Sequence, residues 1–232
     1  GDSNKLRELT YRRAVAAMPI AGSYRSIDFA LSNMANSHVN KVAVLTQYNS
    51  RSLNEHLNSS KWWDFGRKQG GLYVFPPTIT KENGDWYRGT ADAIYQNLDF
   101  LKRCHEPYVI ITSGDAVYKL DYSKVLEYHM DTKADITVVC KEMESDTDFS
   151  RFGTVKVDDE MRIVEFEEKT SSPSSHLIST GIYIIRRRML IDLIEQSAVE
   201  KKYDFVRDIL IRYKNLKRIC AYKLEDYWCN IA

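Results

Sequence analysis

The sequence predicts an α/β protein with a doubly wound, mixed but mostly parallel sheet and helices on both faces. Apolar, β-branched runs of strand length alternate with segments whose apolar residues recur every three or four positions, which is typical of strands alternating with amphipathic helices. Residues 108–111 are apolar and β-branched, which predicts a strand buried on both faces. Gly114-Asp115 follows this strand. Residues 153–157 and 162–167 flank an acidic turn and predict an antiparallel hairpin, which makes the sheet mixed.

Length, charge and cysteine content limit the class of protein. A chain of 232 residues can bury the core of one compact α/β domain, which is our default. Its 33 Lys and Arg balance 32 Asp and Glu, a net charge of +1, so we expect no nucleic-acid and no membrane partner. No apolar run approaches about 18 residues, which favours a cytoplasmic protein. The cysteines form no CxxC pair and predict four free thiols: Cys104, Cys140, Cys220 and Cys229.

The first elements are a helix and two strands. Ser26 is the expected N-cap of a helix that reaches Ala35, because its apolar residues recur at helical spacing. Residues 42–45 and 72–75 predict the strands. Gln47 follows the first of them at the sheet edge where ligands collect, so it either reads a base or sugar edge or is an ordinary turn amide.

A polar loop over residues 78–89 ends in Trp86-Tyr87-Arg88-Gly89. Thr90 after it is the expected N-cap of a helix with buried positions 94, 98 and 101. The open amides at this helix start, beside Arg88 and two aromatic residues, suit the base or phosphate of a nucleotide. A structural lid is the alternative interpretation.

Asp115 follows the central strand, where an aspartate can hold a metal ion or simply form a turn. His129 lies on the apolar face of the next predicted helix, capped by Asp121, and we expect a core histidine rather than a catalyst. Residues 134–140 predict a further buried strand.

Lys169 ends the second hairpin strand directly behind Glu168. An ammonium flanked by a carboxylate can hold a sugar phosphate while the carboxylate takes a hydroxyl, and a solvated charged edge is the alternative. Ser179-Thr180-Gly181 is expected to open the next strand, residues 182–185. Asp204 is the expected cap of a further helix, and residues 219–224 form the last predicted strand.

Several segments together resemble the ADP-glucose pyrophosphorylases, the glucose-1-phosphate adenylyltransferases of bacterial glycogen synthesis. They occur in the family's order over nearly the whole chain, and the segments YRSIDFALSN and WYRGTADA are specific to this family among sugar nucleotidyltransferases. The matching segments are Leu6-x-x-Leu9-Thr10 and residues 24–33, 46–48, 86–93, 113–115, 165–169, 181–183 and 227–228.

The resemblance implies a nucleotide-diphospho-sugar transferase fold over residues 1–232. It also implies a reaction in which the phosphate of glucose 1-phosphate attacks the α-phosphorus of ATP, with Mg²⁺ as cofactor, to give ADP-glucose and pyrophosphate. Carried over by position, Asp115 and Lys169 are catalytic, and Asp115 ligates Mg²⁺ with Asn230 as a weak second ligand. Tyr87, Arg88, Gly89 and Thr90 line the nucleotide side, Gly153, Glu168, Ser179 and Gly181 lie near the sugar, and Gln47 and Trp86 match positions that relay allosteric activation.

Three departures from the family pattern predict weak catalysis. The glycine-rich GGxGxRL loop, whose amides hold the triphosphate, is replaced by residues 1–6, where Asp2 would repel phosphates. A phosphate-binding lysine is replaced by Val15, and the second metal-binding aspartate is Asn230, a weaker Mg²⁺ ligand. Losing three interactions that act as one unit would abolish most turnover.

This pattern is closest to the regulatory-type second subunit found beside the catalytic subunit in some Gram-positive bacteria. We therefore expect a subunit of a homo- or hetero-tetramer that is weakly active or regulatory by itself. Two alternatives stay open: a fully competent adenylyltransferase, with Lys5 and Asn230 replacing the usual groups, and a non-catalytic sensor of a sugar phosphate or nucleotide. The C-terminal left-handed parallel β-helix domain of the family is absent from residues 1–232.

Overall fold

The computed structural model describes residue 10 and residues 13–59, 63, 70–78 and 86–232. The predictions for residues 1–6, for Leu9 and for most of the polar loop before Trp86 therefore lie outside the described residues. The chain folds into two compact units. Unit 1 comprises the described residues up to Tyr87, Ser113–Tyr122 and Asp226–Ala232, and unit 2 comprises Arg88–Thr112 and Ser123–Glu225.

The described residues form twelve β-strands and six α-helices. The strands are β1 (Pro19–Ile20), β2 (Tyr24–Arg25), β3 (Lys41–Leu45), β4 (Gly71–Phe75), β5 (Tyr108–Ile111), β6 (Ala116–Tyr118), β7 (Ile136–Glu142), β8 (Gly153–Val157), β9 (Ile163–Glu168), β10 (Leu177–Arg186), β11 (Ile219–Lys223) and β12 (Trp228–Asn230). The helices are α1 (Ser26–Asn36), α2 (Arg51–Ser59), α3 (Thr90–Gln96), α4 (Leu98–Arg103), α5 (Tyr122–Asp131) and α6 (Arg187–Val199), with a π-helix over Val206–Ile211.

Unit 1 contains three strand pairs and the helix α1. β1 pairs antiparallel with β2, β3 pairs parallel with β4, and β6 pairs antiparallel with β12. The side chain of Asn33 ties α1 to β6, since its amide donates to Tyr118 O over 3.0 Å and its carbonyl accepts from Leu120 N over 3.1 Å. These two bonds hold the β6–β12 pair against α1.

The start of α1 differs from the prediction that Ser26 is its N-cap. Arg25 is the N-cap, and its amide donates to Asp28 Oδ2 over 2.8 Å, which is the N3-to-N-cap half of a capping box. The Ser26 hydroxyl instead bonds two carbonyls distant in sequence, Val15 O at 3.2 Å and Gly114 O at 2.8 Å. Tertiary partners have therefore taken the hydroxyl that was expected to cap the helix.

Unit 2 contains a mixed sheet in the order β11-β7-β10-β8-β9, with β5 paired to β10. β10 runs antiparallel to β5, β7 and β8, whereas β11 is parallel to β7. The predicted hairpin is present, because β8 and β9 pair antiparallel. The α/β class with a mixed sheet is confirmed. The expectation of mostly parallel pairing is wrong for this sheet, because its central strand β10 runs antiparallel to β5, β7 and β8, β8 runs antiparallel to β9, and only β11–β7 is parallel.

Helices cover both faces of the unit 2 sheet, as predicted. α6 packs against β5, β10, α3 and α4 on one face. On the other face α5 is held by Tyr128, whose hydroxyl donates to Ala221 O over 2.7 Å, and by His129, whose Nδ1 lies 2.7 Å from Thr137 Oγ1. Burial lowers the pKa of His129 to about 4, so this histidine is neutral in the core, as expected.

Four element boundaries or environments differ from the predictions. The helix predicted after Gly89 has Gly89, not Thr90, as N-cap, and it is interrupted between α3 and α4 at Asn97. β5 is half-buried along its length, not buried on both faces. β10 begins at Leu177, so residues 179–181 lie inside the strand rather than opening it, and the helical residues after Asp204 form a π-helix.

Two predictions from composition can also be compared with the structure. All four cysteines are free thiols, as predicted. Among the described residues, no helix is long and apolar enough to cross a membrane.

Candidate functional site

Asp115 and Asn230 are neighbours at one end of the β6–β12 pair in unit 1. Asn230 is the register partner of Ala116, and Ile231 N donates to Asp115 O over 2.9 Å. The Asp115 carboxylate accepts a hydrogen bond from the Ser113 hydroxyl. The structure thus brings together the two predicted metal-binding residues, although they are separated by more than a hundred residues of sequence.

Close packing around Gly114 fixes the backbone that carries Asp115. A Cβ atom at Gly114 would lie 3.3 Å from Ala16 Cβ and 3.3 Å from Ile27 Cγ1, tighter than most side-chain contacts. Gly114 O also accepts the hydrogen bond of Ser26. The glycine therefore lets α1 approach the turn before Asp115.

The donors beside Asp115 suit Mg²⁺ only in part. In the part of the chain that the structure describes, no group of three or more His, Cys, Asp or Glu side chains could enclose a metal ion. Asn230 Oδ1 already accepts from Ala232 N over 2.9 Å. Mg²⁺ is commonly held by one or two carboxylates together with waters and substrate phosphates. Asp115 fits such a site as the carboxylate, and Asn230 adds a neutral oxygen.

Gln47, Trp86 and Tyr87 are linked in unit 1. The Tyr87 amide donates to Gln47 Oε1 over 2.8 Å, and the Tyr87 hydroxyl donates to Phe75 O, at the end of β4, over 3.2 Å. The rings of Tyr48 and Trp86 lie 6.4 Å apart. The two residues that the resemblance assigns to allosteric relay therefore both adjoin Tyr87, because Gln47 accepts its amide hydrogen and Trp86 precedes it in sequence.

Arg88 is held by Asp92 and Tyr203 in unit 2. Its amide donates to Asp92 Oδ2 over 2.8 Å, and its guanidinium donates to both carboxylate oxygens, with Nη2 3.3 Å from Oδ1. Nη1 donates to the Tyr203 hydroxyl over 2.8 Å, and the guanidinium carbon lies 4.0 Å from the centre of the Tyr203 ring. Protein groups therefore hold the Arg88 side chain on two sides.

The start of α3 is not open, in contrast to the prediction. Ala91 N and Asp92 N both donate to Tyr203 O, over 2.8 and 3.3 Å. Thr90 Oγ1 accepts from Phe205 N over 3.0 Å. These amides already have protein partners, so they cannot be the phosphate ligands that the sequence pattern suggested.

Glu168 and Lys169 lie together at the end of β9. Lys169 Nζ is 3.8 Å from Glu168 Oε1, and burial raises the pKa of Glu168 against the opposing charge of Lys169. Gly153 is the register partner of Glu168. A Cβ at Gly153 would lie 2.6 Å from the Phe166 ring and 3.0 Å from Glu168 Oε2, so the glycine leaves room for the carboxylate.

Ser179 and Gly181 flank a register shift in β10. Ser179 pairs with Cys140 and Ile182 with Val139, so two extra residues bulge between them. Thr180 anchors the bulge by donating to Val139 O over 2.7 Å. Gly181 has φ +77°, a left-handed conformation that favours glycine. The sequence pattern of a strand start was in fact that of a bulge.

The chain matches the family model described as nucleotidyl transferase over residues 1–231. It belongs to the nucleotidyl transferase family. The predicted resemblance is confirmed by curated glucose-1-phosphate adenylyltransferases, including those of Bacillus thuringiensis (strain Al Hakam), Bacillus anthracis and Bacillus mycoides (strain KBAB4). Each is 42% identical over 235 residues, which cover 100% of this chain and 62% of the relative. This nucleotidyl transferase therefore spans less than two thirds of the length of these relatives.

Family membership confirms the prediction of an enzyme family. The predicted site residues of this nucleotidyl transferase form two groups, one in each unit. Unit 1 carries Gln47, Trp86, Tyr87, Asp115 and Asn230, and unit 2 carries Arg88, Gly89, Thr90, Gly153, Glu168, Lys169, Ser179 and Gly181. Their individual roles stay predictions.

Sequence reasoning missed Tyr183, Tyr203 and Phe205. Burial, with a smaller contribution from the charge of Glu168, raises the pKa of Tyr183 to about 12, so this phenol lies near the Glu168 carboxylate. Its ring lies 5.1 Å from that of Phe205. Tyr183 lies in a predicted strand, Phe205 in a predicted helix and Tyr203 just before that helix, so no local signal assigned a site role to them.

Proposed function

We propose that this chain is the nucleotidyltransferase part of a glucose-1-phosphate adenylyltransferase subunit, weakly active or regulatory by itself. Its substrates are ATP and glucose 1-phosphate, its cofactor is Mg²⁺, and its role is in cytoplasmic glycogen biosynthesis. It acts within a homo- or hetero-tetramer, beside a catalytic subunit in the mixed case. The names of the relatives support the reaction, and the sequence departures support the weak activity.

The Asp115–Asn230 pair is the main support. The two residues are neighbours through the β6–β12 pairing, which supports a shared role in metal binding. One of the two side chains is an amide rather than a carboxylate. A neutral ligand neutralises less phosphate charge, and Mg²⁺ supplies that neutralisation when it is bound.

Val15 gives independent support for weak catalysis. Its side chain is fully buried in unit 1, where the resemblance expects a phosphate-binding lysine. An apolar, buried side chain can neither donate to a phosphate nor add positive charge. The packing around residue 15 is therefore that of a core position.

The binding side is better preserved. Glu168 and Lys169 form a close carboxylate–ammonium pair, and Gly153 leaves the space that this pair needs. Such a pair suits a sugar hydroxyl and a sugar phosphate. Substrate binding with slow turnover is what this combination supports.

The Gln47–Tyr87 bond supports the proposed allosteric role. A side chain at the end of β3 holds the backbone of a residue on the proposed nucleotide side, so a change at Gln47 would move Tyr87. The exposed Trp86 lies next to it in sequence. We propose that these residues transmit the response to an effector, as the resemblance implies.

The decisive experiment measures pyrophosphate release by the full-length protein with ATP, glucose 1-phosphate and Mg²⁺. Beside it stands the Asp115→Ala variant, and both are assayed alone and mixed with a catalytic subunit of the family. We expect the protein alone to match Asp115→Ala, and the mixture to differ from the catalytic subunit in its activator response. Robust turnover by the protein alone, lost in Asp115→Ala, would establish the competent enzyme instead. Tight binding of ADP-glucose without any effect on a catalytic subunit would establish the sensor.

A further inference from the structure

Tyr203 contacts the Arg88–Asp92 segment through three separate parts of the residue. Its ring stacks on the Arg88 guanidinium at 4.0 Å, and its hydroxyl accepts from Arg88 Nη1 over 2.8 Å. Its carbonyl accepts from Ala91 N and Asp92 N. One residue therefore holds both the side chain and the backbone of a segment more than a hundred positions away in sequence.

Gly89 shows how closely the two backbones approach. A Cβ atom at Gly89 would lie 2.3 Å from Tyr203 O and 2.8 Å from Tyr203 C. No side chain fits at that distance. The glycine in this motif therefore serves the contact with Tyr203.

The contacts of Arg88 leave only part of its guanidinium free. Asp92 is buried at 2% exposure, and its carboxylate is satisfied by Arg88 and by Gln96 Nε2 at 3.0 Å. A buried carboxylate needs such partners, so the N–H groups of Arg88 that donate to Asp92 are not available to a ligand. Arginine has five N–H donors, and Asp92 and Tyr203 take three of them. No described residue accepts from the other two N–H groups, and the contacts with Asp92 and Tyr203 fix their orientation.

The residues after Tyr203 lie near Thr90 on one side and near Tyr183 and Glu168 on the other. Phe205 N donates to Thr90 Oγ1 over 3.0 Å, while the Phe205 ring packs 5.1 Å from Tyr183. Asp204 lies near enough to Glu168 for its charge to raise the pKa of that carboxyl. Residues 203–205 thus border both the proposed nucleotide side and the proposed sugar side of unit 2.

Ion pairs and a short turn hold residues 203–205 in place. Arg212 donates to both oxygens of Glu200, over 2.5 and 3.0 Å, and Lys202 Nζ lies 3.2 Å from the same carboxylate. Asp204 Oδ1 accepts from Arg207 N over 2.7 Å. Side-chain contacts therefore hold the segment between α6 and the π-helix on both sides of Tyr203.

We propose that Tyr203 is a positioning residue that orients Arg88 and the start of α3 for nucleotide binding. This inference rests on the proposed function and assigns a role that the family motifs did not indicate. Tyr203 acts through Arg88 and need not touch the nucleotide itself. Removing its side chain should weaken nucleotide binding more than sugar-phosphate binding.

Calorimetric titration of the full-length protein with ATP, ADP-glucose and glucose 1-phosphate, in Mg²⁺ buffer, tests this. We expect Tyr203→Ala to weaken ATP and ADP-glucose binding about tenfold and glucose 1-phosphate binding less than about twofold. Tyr203→Trp keeps a ring under Arg88 and should recover most of the affinity. Tyr95→Phe, an exposed tyrosine on the same helix α3, is the matched control and should bind like the wild type.

Hydrogen exchange of residues 88–96 gives a readout that needs no ligand. We expect faster exchange at Ala91 and Asp92 in Tyr203→Ala but not in Tyr95→Phe. Equal ATP affinity in wild type and Tyr203→Ala would overturn this inference alone, as would a uniform loss of all three ligands. A wild-type protein that binds neither ATP nor ADP-glucose would overturn the proposed function and this inference together.

Discussion

Ile231 donates its amide hydrogen to the carbonyl of Asp115 over 2.9 Å, and this bond sets Asn230 beside Asp115. The two residues come from different segments of unit 1, Ser113–Tyr122 and Asp226–Ala232, and lie at the same end of the β6–β12 pair. Under the proposed metal-binding role, the chemistry of residue 230 sets how much negative charge this end of the pair carries. That charge can be changed by one substitution.

Asn230→Asp should make the stability of the protein depend on Mg²⁺. Two carboxylates side by side repel each other without a cation, and a bound Mg²⁺ removes the repulsion. We expect a lower melting temperature than wild type in EDTA and a rise of several degrees on adding Mg²⁺. Thermal melts with and without Mg²⁺ measure this.

The same variant should raise pyrophosphate release by roughly tenfold or more if residue 230 limits catalysis. Asn36→Asp adds the same charge at an exposed position of α1 and serves as control. A melting temperature of Asn230→Asp that is the same with and without Mg²⁺ would show that no metal binds beside Asp115.

Gly89→Ala should disturb the start of α3 by direct steric conflict. The added carbon would meet Tyr203 O at 2.3 Å, and neither backbone can move far because Tyr203 O also binds Ala91 N and Asp92 N. The backbone of Gly89 is extended, so conformational strain adds nothing. We expect a loss of ATP affinity of about tenfold or more and a lower melting temperature.

Gly181→Ala provides the contrast to Gly89→Ala. Gly181 has open space around a Cβ but a φ of +77°, so alanine there costs about 1 kcal/mol of backbone strain without a steric clash. Chemical denaturation and ATP titration of both variants separate the two effects. Unchanged ATP affinity in Gly89→Ala would mean that ATP binding does not need the close contact between Tyr203 O and the start of α3.

His129 should make the protein less stable in mild acid. Burial lowers its pKa in the folded state to about 4, from an ordinary value of 6.5. The unfolded chain therefore binds a proton that the folded chain does not, in the window between about pH 6.5 and 4. The stabilising contribution is complete above pH 6.5 and is lost as the pH falls through this window, up to about 3 kcal/mol.

Urea unfolding of wild type and His129→Gln at pH 7 and pH 5 measures this contribution. Glutamine cannot gain the proton, so the variant should lose less stability between the two pH values. His105→Gln, at an exposed position, should follow the wild type. Equal pH dependence in all three proteins would assign the acid sensitivity to other groups.

Val15→Lys should destabilise the protein rather than restore catalysis. The Val15 side chain is 0% exposed, so a lysine there must bury its ammonium or disrupt the packing around the Val15–Ala17 turn. We expect a loss of about 3 kcal/mol or more in the free energy of unfolding. Chemical denaturation at pH 7 measures it.

The matched control is Val199→Lys, the same substitution at a position that is 83% exposed, where we expect less than about 0.5 kcal/mol. A stable Val15→Lys protein with faster pyrophosphate release would show that residue 15 can reach the phosphates after all.

The α/β class and most of the helices and strands were predictable from the sequence alone. Residues 26–35, 42–45, 72–75 and 153–157 were predicted as helix or strand, and the observed elements differ by about one residue at either end. The reason is that apolar periodicity and turn residues act over a few positions. The departures at Val15 and Asn230 were likewise visible without a structure, because they are changes of side-chain chemistry.

The hydrogen-bond partners of the polar groups depend on the packing of segments that are distant in sequence. Ser26 and Thr90 looked like helix caps, but their hydroxyls bond Gly114 O and Phe205 N, and the bulge at Gly181 looked like a strand start. The same holds for the pairing of Asp115 with Asn230 and for Tyr203 with Arg88. A hydrogen-bonding group takes whichever partner folding brings within about 3 Å, and that distance carries no mark in the local sequence.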